Sequence, residues 1–328
     1  MTSALITGAA GQDGILLSQL LIADGYDVVG LVKPGTDATI LHRYAAAVTV
    51  IECDLGDVDD FRGALLDVSP DEIYNFGGIS SIVESVENPE MTHRVNVGAV
   101  ETILAAMGEI TAAHECRFVQ AASGTIFEGS EIAPQSEQTP RAPRTPYAVA
   151  KARTLELIAD ARSRDGLFAS AAILYNHESP LRGSGFVTRR ITEAAALIAA
   201  GRLDVLELGN IDVCRDWGWA PDYVRGMKLM MAAEHPDDFI LATGEINYLR
   251  DFLELAFSAA GIDDWTDHVR TRDDLKRTTD PSVLRGDSSK ARRVLGWERT
   301  KSFPQIAEAM VAYDRLLLED PQALWHEA

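Results

Sequence analysis

Paired cysteines are missing from this sequence. Its 328 residues include only three cysteines, Cys53, Cys116 and Cys214, which stand far apart and form no CxxC pair. An odd number of separated cysteines predicts neither a disulfide framework nor a zinc site. We therefore expect a protein of the reducing cytoplasm that holds no metal.

Positive charge, a leader segment and long apolar runs are also scarce or absent. The chain has 30 basic against 50 acidic residues, and its net charge of −20 repels nucleic-acid phosphates and anionic lipid over most of the surface. It runs from Met1 directly into an apolar stretch at 4–6 without a basic leader, and no apolar run reaches the roughly 18 residues of a membrane span. We expect no secretion, no membrane span and no nucleic-acid partner, and an anionic ligand would need a local basic pocket.

What the chain does have is an alternation of short apolar runs and longer amphipathic stretches. Hydrophobic residues make up 46% of it, enough to bury a sizeable core. The short runs are typical of buried strands and lie at 4–7, 28–32, 48–51, 72–75, 117–122 and 169–174. The stretches at 15–23, 57–66, 91–107 and 147–161 place apolar residues three and four apart, as helices do. This alternation predicts an α/β fold with a doubly wound parallel Rossmann sheet.

The composition changes after Leu174. Residues 176–190 are polar and contain Arg and Gly, further helical patterns follow, and a late apolar run at 239–243 has the character of a strand. We interpret residues 1–175, with returns at about 205–244, as a dinucleotide-binding Rossmann domain. Residues 176–204 and 245–328 would form a smaller, interleaved α/β lobe that binds the substrate.

A glycine-rich loop links the first predicted strand to the first predicted helix. Its residues are Gly8, Gly11, Gln12, Asp13 and Gly14, in a GxxGxxG spacing. Such glycines let the backbone turn tightly and approach a pyrophosphate, while the helix N-terminus offers unpaired N–H groups and the positive end of its dipole. The position at the first βα turn indicates a dinucleotide site, although three glycines there also occur for structural reasons alone.

The adenosine end of this site depends on the residues after the second and third strands. NAD-specific sites usually carry an acid at the end of the second strand. Here Lys33 follows that strand, which favours a 2′-phosphate and therefore NADP, although a solvated lysine in a turn is an equal alternative and NAD remains possible. Asp54 and Leu55, after the third strand, are expected near the adenine.

Tyr147 and Lys151 stand four residues apart in a predicted helix, so they share one face. The ammonium group of Lys151 can lower the pKa of the phenol, so that Tyr147 accepts a proton from a sugar hydroxyl while hydride leaves the carbon. Ser123 ends the fifth strand, where the cleft of such a sheet opens, and would hydrogen-bond the reacting oxygen. Chance occurrence of YxxxK and a turn-capping serine are the structural alternatives.

At these residues the sequence resembles the GDP-mannose 4,6-dehydratases within the extended short-chain dehydrogenase/reductase family. The resemblance covers nearly the whole chain and is carried by Thr7-Gly8 with Gly11-Gln12-Asp13-Gly14, Pro146-Tyr147-Ala148-Val149-Ala150-Lys151, Asn176-His177-Glu178-Ser179-Pro180, Phe186-Val187-Thr188-Arg189, Arg215-Asp216-Trp217-Gly218, Asp222-Tyr223-Val224, and Gly286-Asp287 with Lys290-Ala291. It implies a bound nicotinamide cofactor, a GDP-sugar substrate and substrate contacts from Ser80, Asn176, Arg190, Arg215 and Arg277. The arginines would hold the diphosphate, since guanidinium groups suit phosphate oxygens; a surface salt bridge is the alternative for each.

The sequence departs from the family pattern at the catalytic base. Members of that family carry a sequence similar to Thr-Ser-Glu after the fifth strand. The resemblance implies that this glutamate removes the C5 proton so that the C6 hydroxyl can leave. Counted back from Tyr147 without a gap, this chain has Ser123-Gly124-Thr125, so Thr125 stands at the glutamate position. A neutral hydroxyl is a poor general base near neutral pH, so elimination should be badly impaired. Two smaller departures are Ser81, where the family tends to have histidine, and Lys33, where it tends to have paired arginines. The segment after Lys33 is also shorter than in the family, which puts the family's cofactor-mediated tetramer contacts in doubt.

Oxidation and reduction at C4 remain possible. Ser-x-Thr at this place resembles the hexose 4-epimerases, so we interpret the protein as a C4 epimerase of a GDP-mannose-like hexose. GDP-mannose 4,6-dehydration stays open, because Glu128 could replace the base in a remodelled loop, and so does 4-ketoreduction. A non-catalytic dinucleotide-binding regulator would have no use for Tyr147 and Lys151. Relatives pair through the helices at 91–107 and 147–161, so a homodimer or homotetramer is expected.

Overall fold

Seven parallel strands form the centre of the molecule. The computed structural model describes residues 1–275 and 283–326. The strands of these residues, both those of the central sheet and shorter ones outside it, are β1 (Ser3–Thr7), β2 (Asp27–Val32), β3 (Thr49–Glu52), β4 (Glu72–Asn75), β5 (Arg117–Ser123), β6 (Phe168–Leu174), β7 (Asn176–Glu178), β8 (Leu206–Leu208), β9 (Cys214–Arg215), β10 (Trp217–Trp219), β11 (Phe239–Leu241), β12 (Asn247–Tyr248) and β13 (Val269–Thr271). The central sheet has the order β11-β6-β5-β4-β1-β2-β3, all parallel. The predicted Rossmann sheet is confirmed.

Helices cover both faces of this sheet. They are α1 (Gln12–Ala23), α2 (Thr39–Tyr44), α3 (Val58–Val68), α4 (Ile82–Glu87), α5 (Pro89–Ile110), α6 (Pro146–Asp160), α7 (Val187–Ala199), α8 (Ala220–Met231), α9 (Leu249–Ala260), α10 (Ser289–Leu295) and α11 (Phe303–Glu319). One apolar core contains Leu5 with residues of α3, α5 and α6, and a second contains Ala4 and Ile6 with residues of α1 and α8. Because both faces are buried, the strands are nearly continuous apolar runs.

A third core fills the second lobe between α7, α9 and α11. Trp217 and Phe303 stack there, with ring centroids 5.7 Å apart. Three two-stranded ladders, β10-β7, β12-β9 and β13-β8, edge this lobe. The two lobes are interleaved, since α8 and β11 return to the first, whereas β8 pairs with β13 outside the central sheet. The exact domain boundaries stay a prediction.

The direction of winding reverses at β1. The chain runs outward from β1 to β2 and β3 and then returns to β4, on the other side of β1. In such sheets ligands bind in the crevice at the carboxyl ends of the strands where the order reverses. The glycine loop follows β1 and Ser123 ends β5, so both lie at this edge.

Candidate active site

The loop after β1 has no room for side chains. Gly8 has a φ of +66°, and a Cβ there would lie 2.9 Å from the backbone nitrogen of Gly77. A Cβ on Gly14 would lie 2.5 Å from the carbonyl oxygen of Gly8. Gly11 precedes α1 and supplies no side-chain cap, so the first N–H groups of the helix face the loop. This narrow cradle of backbone donors fits the pyrophosphate of a dinucleotide.

Gln12 and Asp13 join this loop to β7. The Nε2 group of Gln12 donates to the carbonyl oxygen of His177 at 3.3 Å, and its Oε1 accepts from the Ser179 hydroxyl at 2.8 Å. Oδ2 of Asp13 lies 3.0 Å from Nε2 of His177. These two side chains therefore connect the glycine-rich loop to β7, the strand that carries Asn176.

The surroundings of His177 favour its protonated form. Nδ1 faces the carbonyl oxygen of Tyr175 at 2.7 Å while Nε2 faces Asp13, so both ring nitrogens meet acceptors. Burial works to lower the pKa of His177, but the charge and hydrogen bond of Asp13 outweigh it and the net pKa is raised. Burial likewise works to raise the pKa of Asp13, and His177 reverses it to a net decrease. The His177 ring also stacks on Tyr223, with centroids 4.6 Å apart.

Sequence reasoning missed His177 and Arg182 as neighbours of the site. Arg182 has its Nε 3.1 Å from a carboxylate oxygen of buried Glu178. Its charge works to lower the pKa of the Tyr147 hydroxyl, against the larger effect of burial. The signal was the string from Asn176 to Pro180, but only three-dimensional pairing shows that His177 meets a residue 164 positions earlier.

Tyr147, Ser123 and Thr125 form one hydroxyl cluster. Thr145 caps α6 by accepting from the N–H of Ala148 at 3.2 Å, which places Tyr147 in the first turn. Ser123 lies close enough to the Tyr147 hydroxyl to work towards a lower pKa of the phenol. The Thr125 hydroxyl donates to Oγ of Ser123 at 3.0 Å. Burial raises the pKa of Tyr147, and the effect of Ser123 partly offsets this increase.

Lys151 lies beneath this cluster. Its side chain is 6% exposed, and Nζ donates to the carbonyl oxygen of Ala121 at 2.7 Å. Nζ is 5.8 Å from the centroid of the Tyr147 ring. Burial lowers the pKa of Lys151 from 10.5 to about 8. The predicted face with Tyr147 and Lys151 is therefore present.

Glu128 does not occupy the place of the missing glutamate. It is buried, and its Oε1 accepts from the backbone N–H groups of Arg144 and Thr145, both at 2.5 Å. The carboxylate is thus bonded to the segment that leads into α6. The suggested replacement of the base by Glu128 has no support in this arrangement, and Thr125 stands alone at that position.

The residues expected at the adenosine end lie on the rim of the crevice. Lys33 is exposed and begins a tight turn, in which the N–H of Thr36 donates to its carbonyl oxygen at 3.0 Å. Asp54 is exposed and accepts from the N–H of Gly56 at 2.9 Å. The Leu55 side chain lies against Gly77, where a Cβ would be 2.4 Å from its Cδ1. Leu55 therefore borders the glycine loop.

The residues expected to contact the substrate come from both lobes. Ser80 is exposed in the segment between β4 and α4. Asn176 is exposed on β7 and pairs with Trp217 of β10. Arg215 ends β9 and donates to the carbonyl oxygen of Cys214 at 2.6 Å. Arg190 lies in the first turn of α7 and donates to the carbonyl oxygen of Glu207 at 2.9 Å, whereas Arg277 lies outside the described residues.

The fold and this site define an enzyme of the extended short-chain dehydrogenase/reductase class. Residues 5–310 match the model of the family GDP-mannose 4,6 dehydratase, so the chain belongs to that family of NAD(P)-dependent sugar-nucleotide enzymes. It is 38% identical over 333 residues to GDP-mannose 4,6 dehydratase 1 of Arabidopsis thaliana, covering 98% of this chain and 92% of that protein.

Solved structures share the fold at lower identity. The UDP-glucose 4-epimerase of Thermotoga maritima with UDP-glucose matches with a TM-score of 0.85 and 21% identity. The match covers 97% of this chain and 100% of that chain. RMD from Pseudomonas aeruginosa complexed with NADPH matches with a TM-score of 0.80 and 21% identity, covering 96% and 99%. These likenesses show that the chain has the same fold as those proteins.

Within residues 1–275 and 283–326, no helix combines the length and apolar content that crossing a membrane requires. The same part of the chain contains no group of three or more His, Cys, Asp or Glu side chains arranged to hold a metal ion. The cytoplasmic location expected from the sequence stays a prediction.

Proposed function

We propose that this enzyme binds NADP and oxidises C4 of a GDP-hexose of the GDP-mannose type. The observation that carries the proposal is the placement of Tyr147 over buried Lys151, whose Nζ lies 5.8 Å from the ring centroid, with Ser123 beside them at the sheet edge that also carries the glycine loop. A binding protein without chemistry has no need of a buried lysine that carries this cost of burial.

Tyr147 acts as the general base of the oxidation. It takes the proton of the 4-hydroxyl while the C4 hydride departs, and it returns the proton when the carbonyl is reduced. Ser123 hydrogen-bonds the reacting oxygen, and the Lys151 ammonium stabilises the phenolate that forms. The cofactor, when bound, supplies the hydride acceptor.

The fate of the 4-keto sugar depends on Thr125. Elimination of water across C5 and C6 needs a base for the C5 proton, and Thr125 offers a hydroxyl that already donates to Ser123. Glu128 accepts two backbone N–H groups. We therefore propose that the hydride returns to the opposite face of C4, which makes the protein a C4 epimerase.

Dehydration is the second candidate, and one observation favours it. The family model and the Arabidopsis relative both carry the name of GDP-mannose 4,6 dehydratase. If this chain retains that reaction, a group other than Thr125 removes the C5 proton. The oxidation step and its residues are the same in both candidates.

The diphosphate would be held by arginines of the second lobe. Arg190 and Arg215 each donate to a backbone carbonyl oxygen, and guanidinium groups suit phosphate oxygens. Asn176 and Ser80 are exposed, and we propose that they contact the sugar. Arg277 completes the proposed set, and Lys33 would select NADP through its 2′-phosphate.

We also propose that the enzyme is a dimer. α5 and α6 pack side by side, and each exposes apolar residues: Val149 of α6 is 50% exposed and Met91 of α5 is 43% exposed. A twofold pairing through these helices would cover them. Light scattering on the purified protein measures the state directly.

The deciding experiment is incubation with GDP-mannose in deuterated water, followed by NMR of the sugar. A new hexose that differs only at C4 and carries no solvent deuterium establishes the epimerase. A 4-keto-6-deoxy product with deuterium at C5 establishes the dehydratase. If no GDP-hexose is turned over and no bound cofactor is reduced, the proposed C4 oxidation is wrong.

A further inference from the structure

Glu128 is a buried carboxylate with no part in the chemistry described so far. Its side chain is 4% exposed, and it follows directly on the short 3₁₀ helix Gly124–Phe127 that carries Thr125. Oε1 accepts from the N–H groups of Arg144 and Thr145 at 2.5 Å each. These donors lie 16 and 17 residues further along the chain. One carboxylate oxygen therefore joins two segments of the site.

The segment it holds is the one that aims Tyr147. Thr145 is the N-cap of α6, and its own hydroxyl oxygen accepts from the N–H of Ala148. Two backbone hydrogen bonds lie beside the carboxylate: the N–H of Ala142 donates to Ile126 at 2.8 Å, and that of Gly129 donates to Ala142 at 2.9 Å. The segment with the two hydroxyls and the start of the tyrosine helix are thus joined at several points.

The charge makes this junction stronger than a backbone contact alone. Hydrogen bonds from N–H groups to an ionised carboxylate are roughly twice as strong as neutral ones. The carboxylate also sits near the N-terminus of α6, where the helix dipole favours negative charge. Removing it would leave two buried N–H groups without this acceptor, and the entry of α6 would shift.

We propose that Glu128 is a positioning residue that fixes Tyr147 against Ser123, and that it is not a proton acceptor in the reaction. The proposal rests on the C4 oxidation proposed above. A misplacement of about 1 Å in reacting groups can cost on the order of 100-fold in rate. Loss of the junction should therefore lower turnover without weakening the binding of the sugar nucleotide.

The test compares Glu128→Gln with Glu128→Ala, because the amide oxygen of glutamine accepts hydrogen bonds but takes no proton. Glu131→Ala, an exposed glutamate of the same loop, is the matched control. We expect the alanine variant to lose about 10- to 100-fold in kcat with KM within about threefold, and the glutamine variant to keep kcat within about threefold. If the alanine variant does not fold, Glu128→Asp, which shortens the reach, replaces it and should lose kcat in the same way.

Hydrogen exchange makes the result independent of turnover. The amides of Arg144 and Thr145 should exchange faster in the alanine variant and return to wild-type protection in the glutamine variant, while calorimetry shows NADP binding unchanged. Protection that follows this order in a protein that turns over no GDP-hexose would refute the proposed function and leave the junction standing. Equal loss of activity in the glutamine and alanine variants would make Glu128 a base, and full activity in the alanine variant would remove its positioning role; either result overturns the inference.

Discussion

Replacing Thr125 by glutamate should give this enzyme the elimination step that we propose it lacks. Thr125 is partly buried on the 3₁₀ turn after β5, and its hydroxyl is 3.0 Å from Ser123. A glutamate there would extend its carboxylate past Ser123 towards the cleft. A general base contributes about 10²–10⁴-fold, which corresponds to about 3 to 5 kcal/mol of barrier. We expect Thr125→Glu to form the 4-keto-6-deoxy sugar at least about 100 times faster than wild type.

The assay is NMR of GDP-mannose in deuterated water, with deuterium at C5 as the mark of proton removal. Thr125→Gln is the control, because it has nearly the same shape and no basic oxygen. The double variant with Tyr147→Phe should eliminate nothing, since C4 oxidation must come first. The reasoning is refuted if wild type eliminates as fast as Thr125→Glu, or if the glutamine variant matches the glutamate variant.

Substitutions of Tyr147, Lys151, Asp13 and Lys33 give further predictions. Tyr147→Phe should lower kcat about 10²–10⁴-fold while calorimetry shows NADP binding retained; full activity would exclude it as the base. The pKa of Lys151 falls from 10.5 to about 8, so the folded state bears a cost of at most about 3 kcal/mol below pH 8 that disappears as pH rises to 10.5. Lys151→Met should therefore be inactive yet more stable to urea at pH 7 than wild type, with the difference shrinking towards pH 10. Asp13 and His177 stabilise the fold above the lowered pKa of the acid and below the raised pKa of the imidazole, so Asp13→Asn should cost more stability at pH 6 than at pH 9. Lys33→Ala should weaken NADP by up to about fivefold and leave NAD unaffected, because exposed ion pairs contribute at most about 1 kcal/mol; equal losses for both would exclude a 2′-phosphate contact.

The sequence predicted the sheet because of how that sheet is buried. β1 and β6 are covered on both faces, so they are largely apolar runs with a clear beginning and end. The ladders of the second lobe escaped the same reasoning, since β9 and β12 have two residues each and carry no periodicity. Their pairing depends on tertiary contacts that no local pattern records.

The candidate site divides in the same way. Tyr147 and Lys151 lie four residues apart on one helix, so local geometry was enough to place them on one face. The link from Asp13 to His177 and the bond from Glu128 to Thr145 cross between elements. Sequence suggested Glu128 as a spare base because it lies three residues from Thr125, but burial against two N–H groups gives it a different task.

The residues proposed for C4 oxidation and the residue at position 125 belong to separate steps of a dehydratase reaction. In the proposed mechanism Tyr147, Ser123 and Lys151 serve hydride transfer at C4, and Lys151 is held by Ala121 and lies beneath the Tyr147 ring without any contact from position 125. Position 125 carries a threonine, whose hydroxyl donates to Ser123, where a dehydratase would carry the carboxylate that removes the C5 proton. A change at position 125 can therefore remove elimination and leave oxidation intact, which is why membership of a dehydratase family does not by itself settle the product.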